Sequence, residues 1–415
     1  MDRRQFLKIS SASLAAAGLG VPSLSAAAGL GVTSLGAAAG SGSLLSTADD
    51  PSFSPLVGGD RSYNIVLLGD THFDTEPADV YHSHYNEPTE WLNRVQRQEF
   101  ARNGEMWRER CPRLLKRAAC LVDDDTRMVF QTGDLIQGDC GTAEVHRKML
   151  DDVMNAFKAE LGGLPFVTVV GNHDIRGNYD LEGNYQTDGP GAKAVYADYM
   201  PGRMSQELGI PVTKTTFSFN IGDDAFLVLD FNKPDDEEIE RMLKANSGAR
   251  NTFVLVHGPL MPYDGSNCRW FFHGKDTPGH TEARRHFRAE FARRNVIALC
   301  GHTHRTELAD WRGDGGRITQ MTMSSVWSED SFGVYTIDSE GAAQFGELRK
   351  QVSLMPNGSP IKDETPIFDE YRSGLTRYVH SPSAGCYKMT VRGRKVTMDF
   401  YAGDSSRRSA RFELR

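Results

Sequence analysis

Seven side chains that can bind metal ions occur in five short segments of this 415-residue chain. The segments read Gly69-Asp70-Thr71-His72, Gly133-Asp134, Gly171-Asn172-His173-Asp174, His257 and Gly301-His302-Thr303-His304. The candidate ligands in them are Asp70, His72, Asp134, Asn172, His257, His302 and His304. Oxygen and nitrogen donors of this kind suit Zn, Mn or Fe, and the lack of thiolates argues against a closed structural zinc site.

Each segment alone has a simpler explanation. A Gly-Asp pair after a strand is commonly a turn, and a histidine before Gly-Pro is commonly a loop residue. All five in this order exceed coincidence, however, and a rim of carboxylates and imidazoles without metal would cost on the order of several kcal/mol per buried charge. We therefore predict a metal-binding site.

Apolar runs in front of these segments predict the strands that position them. We expect strands at 63–68, 127–132, 165–170, 215–221, 225–231, 252–256 and 296–300, and helices at 90–122, 143–161, 235–245 and 281–294. Short buried strands separated by helices indicate a largely parallel sheet. The carboxyl ends of parallel strands meet at one edge, so the ligands should converge there.

These segments resemble the motifs of the calcineurin-like metallophosphoesterases, which are DxH, GD, GNH followed by Asp or Glu, a lone His, and GHxH. The resemblance spans about residues 63–305. It implies an α/β fold, a four-layer αββα sandwich. It further implies that Asp70, His72 and His304 hold one metal, that Asn172, His257 and His302 hold another, and that Asp134 bridges them. His72 and Gln137 stand where purple acid phosphatases have Gly and Tyr, which excludes that subgroup.

The resemblance also implies a binuclear phosphoesterase that hydrolyses a phosphate ester by attack of a metal-bound hydroxide. Its cofactors would be two divalent or trivalent ions, Mn, Fe or Zn. A phosphodiesterase is expected; a phosphomonoesterase or nucleotidase, and a non-catalytic metal-containing binding protein, are the alternatives. His173 would act as general acid or stabilise the leaving oxygen, and Asp174 would orient it.

Substrate contacts are sought in two places. Arg176 follows the third motif closely enough to reach a phosphate. Residues 261–280 follow His257, are too long for a tight connection and are expected to form a lid that carries Tyr263, Arg269, Trp270 and His273.

Composition limits the partners. The formal net charge is -8 and no basic cluster stands out, so nucleic-acid binding is not predicted and the substrate should be a small phosphate ester. The six cysteines show no CxxC pair. We expect free, mostly buried thiols, with one or two disulfides as the alternative.

The N-terminus reads Arg3-Arg4-Gln5-Phe6-Leu7-Lys8 before a weakly apolar stretch, and resembles a bacterial twin-arginine export signal. Asp2, where Ser or Thr is usual, is a departure. The alternative is a membrane anchor, but Gly and Ser interrupt every apolar run, so no stable membrane span is expected after processing. The resemblance implies export of the folded protein by the twin-arginine machinery to the periplasm or beyond.

The chain is thus predicted to have three parts. Residues 1–45 form the signal and linker, 58–350 the metallophosphoesterase catalytic domain, and 351–415 a loop and C-terminal β-hairpin extension. A strand at 332–337 should precede the extension, and the hairpin should pair 387–391 with 395–401.

Overall fold

The computed structural model describes residues 62–75, 77, 79–82, 90–177, 191–263, 270–326, 332–350 and 365–415. The predicted signal at 1–45 and the substrate candidate Arg269 lie outside these ranges. No helix in the described ranges combines the length and the apolar character needed to cross a membrane.

Fourteen strands are formed by the described residues. In chain order they are β1 (Tyr63–Leu68), β2 (Thr126–Gln131), β3 (Phe166–Thr168), β4 (Phe217–Ile221), β5 (Asp224–Leu229), β6 (Asn251–Val256), β7 (Ile297–Cys300), β8 (Thr306–Gly313), β9 (Gly316–Thr322), β10 (Ser339–Glu340), β11 (Leu375–Ser381), β12 (Gly385–Arg392), β13 (Lys395–Ala402) and β14 (Ala410–Glu413).

The strands form two sheets, each with a parallel centre. The first has the order β14-β13-β12-β1-β2-β3, and the second has the order β10-β11-β8-β9-β7-β6-β5-β4. Strands β1, β2 and β3 run parallel, as do β5, β6, β7 and β9. The remaining neighbours are antiparallel.

Helices connect and cover these strands. They are α1 (Asp79–His82), α2 (Glu90–Glu109), α3 (Cys111–Ala119), α4 (Ala143–Glu160), α5 (Gly191–Leu208), α6 (Asp236–Ala245), α7 (Pro278–Arg293), α8 (Glu347–Lys350) and α9 (Thr365–Arg372). Side chains hydrogen-bond the first turn of several helices: Thr142 begins α4, Asp235 begins α6 and Thr277 begins α7.

Alternation along the buried strands produces four layers. Successive strand residues face opposite sides of a sheet, and in β5 Phe226 and Val228 join the core between the sheets, whereas Leu227 and Leu229 pack under α6 and α7. Phe130 of the first sheet contacts Phe226 of the second at 5.4 Å between ring centroids. The predicted αββα sandwich is therefore confirmed.

Two expectations for the C-terminal part need correction. Residues 332–337 form no strand, and the stretch expected to be loop contains α9 and β11. The segment 351–415 was predicted to be an extension, but β11 pairs with β8 in the second sheet and β12 pairs with β1 in the first. The hairpin of β12 and β13 forms at the predicted place. C-terminal strands thus complete both sheets and support β1, which carries the first motif.

Candidate metal centre

The candidate ligands lie at the carboxyl ends of strands from both sheets. Each of β1, β2, β3, β6 and β7 is followed by one of the five motifs. Their donor atoms form two groups, in each of which the atoms lie within 4.8 Å of one another. The groups are Asp70, His72, Asp134 and His304, and Asp134, His257 and His302. Asp134 belongs to both, which is the position of the bridging ligand implied by the motifs.

The first group has its nitrogen and oxygen atoms close together around Asp70 and Asp134. His72 Nε2 lies 3.1 Å from His304 Nε2. His304 Nε2 lies 3.2 Å from Asp70 Oδ2, and His72 Nε2 lies 3.8 Å from Asp134 Oδ2. We call this set, Asp70, His72 and His304 together with Asp134, the first ligand group.

The second group is centred on His257. Its Nε2 lies 3.2 Å from Asp134 Oδ2, 3.2 Å from Asn172 Oδ1 and 3.2 Å from His302 Nδ1. Asn172 therefore joins the set predicted for it. We call Asn172, His257 and His302 together with Asp134 the second ligand group.

These distances fit metal coordination. Ligand atoms held about 2.0 to 2.2 Å from one ion lie roughly 3 to 3.5 Å apart, and the contacts above fall in this range except for the 3.8 Å between His72 Nε2 and Asp134 Oδ2. The His257 ring donates from Nδ1 to the Thr132 carbonyl at 2.7 Å, so its Nε2 presents a lone pair to the group. The His72 ring likewise has Nδ1 3.2 Å from Gln137 Oε1 and Nε2 turned to His304. The donor sets therefore suit two cations.

Four ligands occupy an uncommon backbone conformation. His72, Asp134, His302 and His304 have φ values of 43°, 49°, 69° and 55°. Residues other than glycine adopt this left-handed region at a cost of order 1 to 3 kcal/mol, and such strain concentrates at functional sites. The turns after β1, β2 and β7 therefore aim side chains at the site at the expense of local backbone stability.

Two glycines in the motifs allow close approach. Gly133 has φ 90°, and a Cβ there would lie 2.6 Å from Nδ1 of His257. A Cβ at Gly301 would collide with the carboxylate of Asp70 and the carbonyl of Thr132. Both positions consequently require glycine for the two sheets to bring their ligands together.

Burial and charge act in opposite directions on the histidines. Burial lowers the pKa of His72 to about 4 and the pKa of His302 to about 3. Burial also disfavours a charged His257, but the carboxylates of Asp134 and Asp70 outweigh it and raise the pKa of His257 to about 9. Neutral imidazole is the form that binds metal. A cation beside Asp134 therefore competes with the proton on His257.

His173 lies beside the first ligand group without belonging to it. Its ring meets the His72 ring edge-on with 4.5 Å between centroids, and its backbone N–H donates to Asp134 Oδ1 at 2.7 Å. Its Nδ1 lies 3.1 Å from the Gln137 carbonyl oxygen and must carry a proton, because a carbonyl only accepts. Burial lowers the pKa of His173, and Arg176 lowers it further.

The predicted orienting role of Asp174 is not what the structure shows. Its carboxylate accepts from the backbone N–H of Ile136 at 3.0 Å and of Gly171 at 2.8 Å. Burial and the charge of Asp134 raise the pKa of Asp174 to about 7. Asp174 thus joins the turns that carry Asp134 and Asn172, and the Gln137 carbonyl orients His173 instead.

Arg176 is held next to His173. Its Nη1 lies 3.2 Å from His173 Nε2, which can only accept from a guanidinium. Asp139 binds Arg176 Nε at 2.5 Å, and Glu99 of α2 lies 3.4 Å from Arg176 Nη2. Gln137 connects the same network to the metal ligands, since its side chain contacts both His72 and Glu99.

Tyr263 and His273, two other predicted substrate residues, have different surroundings. Tyr263 contacts the His302 ring edge-on with 5.7 Å between centroids, so it lies at the site. His273 has its ring nitrogens 3.0 Å from Asp236 of α6 and 3.0 Å from His280 of α7. A contact of His273 with substrate remains a prediction.

Sequence reasoning missed Glu99, Asp139 and Phe231 around the ligands. Glu99 and Asp139 hold Arg176, and the Gly138-Asp139 pair, which repeats the Gly-Asp pattern of Gly133-Asp134, was a usable signal. Phe231 lies 5.9 Å from the His302 ring centroid, and nothing in the apolar run that it ends indicates this contact. Trp270, which was expected in the lid segment, lies 5.6 Å from the same centroid.

Comparison with known proteins gives the family. Residues 63–306, more than half of the chain, match the family model described as calcineurin-like phosphoesterase. The chain therefore belongs to the calcineurin-like phosphoesterase family. It is a metallophosphoesterase, an enzyme that uses metal ions to hydrolyse phosphate esters.

Solved structures resemble the chain at low sequence identity. A PhoD structure is 14% identical with a TM-score of 0.48, covering 87% of this chain and 70% of that one. Purple acid phosphatase PPD1 from yellow lupin seeds is 14% identical with a TM-score of 0.47, covering 87% of this chain and 55% of that one. A dimetal phosphatase from Danio rerio is 11% identical with a TM-score of 0.41, covering 85% and 98%. The search of curated protein sequences finds no match.

Proposed function

We propose that this protein is an exported phosphodiesterase with a binuclear metal centre. The carrying observation is the pair of ligand groups that share Asp134, each with donor atoms at metal-coordinating spacing. Asp70, His72 and His304 would hold one ion, and Asn172, His257 and His302 the other. Mn, Fe or Zn suits these donors.

Two divalent ions, when bound, would polarise the phosphoryl oxygens and make a water molecule nucleophilic at neutral pH. The residues of the chain hold the ligands and the groups around the phosphate in position. Asp134 fixes the two ligand groups against each other, and the carbonyls of Thr132 and Gln137 hold His257 and His173 in single tautomers.

His173 and Arg176 are assigned to the leaving oxygen. In the free protein His173 is neutral and its Nε2 accepts from Arg176, so the histidine has no proton to give from that nitrogen. The pair therefore acts as a unit: the Arg176 guanidinium supplies the N–H donors at the departing oxygen, and His173 Nε2 positions the guanidinium by accepting from it. Asp139 and Glu99 keep Arg176 in place.

The charge balance beside His173 supports a diester. The positive charge of Arg176 is offset by the carboxylates of Asp139 and Glu99. A diester carries one negative charge at neutral pH, whereas a monoester carries close to two and needs more positive charge in its site. Because Asp139 pairs with Arg176, the described side chains beside His173 add little net positive charge to that of the two ions, which favours the singly charged substrate over a monoester or nucleotide terminus.

Two substrates with the same leaving group test this assignment. We expect Mn-loaded protein to hydrolyse bis-p-nitrophenyl phosphate with a kcat/KM about tenfold or more above that for p-nitrophenyl phosphate, a difference of about 1.4 kcal/mol. The reverse order would replace the proposal with a phosphomonoesterase. Hydrolysis of neither would leave a metal-containing binding protein.

Export is supported by the arginine pair and the small-residue stretch that follows it. We expect the full chain in a bacterial host to be recovered from the periplasm with its N-terminus removed. Arg3→Lys combined with Arg4→Lys should keep it inside, while Lys8→Arg is the matched control. Unchanged fractionation of the double variant would refute twin-arginine export.

A further inference from the structure

The surroundings of the two ligand groups differ in polarity. The first is backed by Gln137, Glu99 and Arg176. The second is surrounded by aromatic rings, with Phe231 5.4 Å from His257 and Tyr263 and Trp270 on His302. A substrate that bridges the two groups thus meets an apolar wall on one side only.

Trp270 is the exposed member of this wall. Its ring is parallel to the His302 ring, with 1° between their planes, yet half of the residue is solvent-accessible. Phe271 and Phe272 next to it are only 3% and 2% exposed and anchor the segment in the core under α7. The chain therefore fixes the position of Trp270 while leaving much of its ring open beside a metal ligand.

Burial does not explain this arrangement. A tryptophan contributes its hydrophobic stabilisation when it is removed from water, and Trp270 remains half in water. By contrast, a rigid ring with an open surface is well suited to stack on a planar ligand. Such stacking does not select one ligand, because every aromatic ring has a π face.

We propose, on the basis of the phosphodiesterase function above, that Trp270 is a stacking platform for a planar aromatic group on the phosphate ester, a nucleobase or a simple aryl ring. The ester phosphate would lie at the two ligand groups, and the ring would lie against Trp270. Tyr263, which is only 7% exposed, contacts the His302 ring edge-on and adds a second aromatic ring beside the platform.

Binding of two phosphonates tests the platform without turnover. Phenylphosphonate and methylphosphonate share the anionic head, and only the first has a ring. Calorimetry on Mn-loaded protein should give about tenfold tighter binding of phenylphosphonate, in line with the worth of one aromatic stack. Trp270→Ala and Trp270→Leu should bring the two dissociation constants together, and Trp270→Phe should keep part of the difference.

Ile337→Ala is the matched control, because Ile337 is also a large apolar side chain exposed at 45% and belongs to no ligand group. It should leave the ratio unchanged. Equal binding of both phosphonates to the unaltered protein overturns the platform. So does a Trp270→Ala variant that weakens both alike, since Trp270 would then only shield His302.

A second pair of substrates separates a nucleobase from a simple aryl ring. Thymidine 5′-(p-nitrophenyl phosphate) and methyl p-nitrophenyl phosphate have one leaving group in common. A preference for the first that Trp270→Ala removes assigns the platform to nucleobases; a phenylphosphonate preference without it assigns aryl esters. If neither phosphonate binds and no ester is hydrolysed, the proposed function itself fails, whereas failure of the platform alone leaves hydrolysis intact.

Discussion

One histidine on each side of the metal centre, His72 on the first and His302 on the second, is held in a different way. On the first side, His72 is fixed by hydrogen bonds through Gln137 to Glu99 of α2. On the second side, His302 is enclosed by the rings of Phe231, Tyr263 and Trp270. Hydrogen bonds are directional and fix a tautomer, whereas ring contacts exclude water with little directional control. Metal affinity should therefore depend more on the residues that surround the ligands on the first side than on those that surround them on the second.

Asp134 is the only residue the two groups share, and replacing it should have the largest effect. Asp134→Asn keeps an oxygen for the His173 backbone N–H but removes the bridging charge. We expect loss of both ions after dialysis and a fall in kcat of about 10³ or more, because the stabilisation that bound metal provides amounts to several kcal/mol. Metal analysis and hydrolysis of bis-p-nitrophenyl phosphate measure the two effects.

Asp369→Asn, at a carboxylate 58% exposed on α9, is the control and should change neither quantity. An Asp134→Asn variant that retained both ions would contradict the shared centre, because the two ligand groups would then be independent sites.

His173→Ala should have the next largest effect, and on turnover alone. The imidazole is not a ligand, so both ions should stay, while kcat falls by about 10² because Arg176 loses the partner that positions it at the leaving oxygen. Arg176→Ala should act in the same direction, and the double variant should lose less than the sum of the two free energies because the residues act as a pair. Exposed His286→Ala is the control. Loss of metal in His173→Ala would contradict the assigned role.

Gln137→Leu tests the polar side. It removes the acceptor of the His72 Nδ1–H, and loss of such an outer hydrogen bond typically costs 10- to 100-fold in metal affinity. Calorimetric titration with Mn should show one of two binding steps weakened by about that factor. Gln137→Glu keeps an acceptor oxygen and should retain more affinity; if Leu and Glu behave alike, the hydrogen bond is not what secures His72.

Phe231→Leu should have the smallest effect on metal binding. It trims ring contacts to His257 and His302 and leaves their hydrogen bonds intact, so we expect less than about a threefold change in metal affinity. A loss of about 1 kcal/mol of packing should lower the melting temperature by roughly 1 to 2 °C. A change in affinity equal to that of Gln137→Leu would erase the proposed difference between the sides.

The convergence of the ligands could be predicted from sequence because it follows from local rules. Asp70, Asp134 and His257 each follow an apolar run that reads as a buried strand, and parallel strands bring their carboxyl ends to one edge. The ligand positions are thus encoded within a few residues of each strand. The four layers were expected from the resemblance to the metallophosphoesterases, because neighbours such as Phe226 and Leu227 are both apolar and the strand sequence does not show that they face different layers.

The rest depends on partners that are remote in sequence. Glu99 lies in a helix whose pattern says nothing of Arg176, and the contact exists only because α2 packs beside the motif loops. His273 was placed by its distance from His257 along the chain, yet it faces α6 and α7. Asp174 has the residue type of an orienting acid, but the backbone N–H groups of Ile136 and Gly171 occupy its carboxylate.

Anomalous scattering from a crystal of the Mn-loaded protein would show whether the two ligand groups hold two ions around Asp134. We expect two peaks flanking the carboxylate of Asp134, separated by about 3.5 to 4 Å. One peak should have His72 and His304 among its nearest atoms, and the other His257 and His302. A single peak, or peaks away from Asp134, would contradict the shared centre.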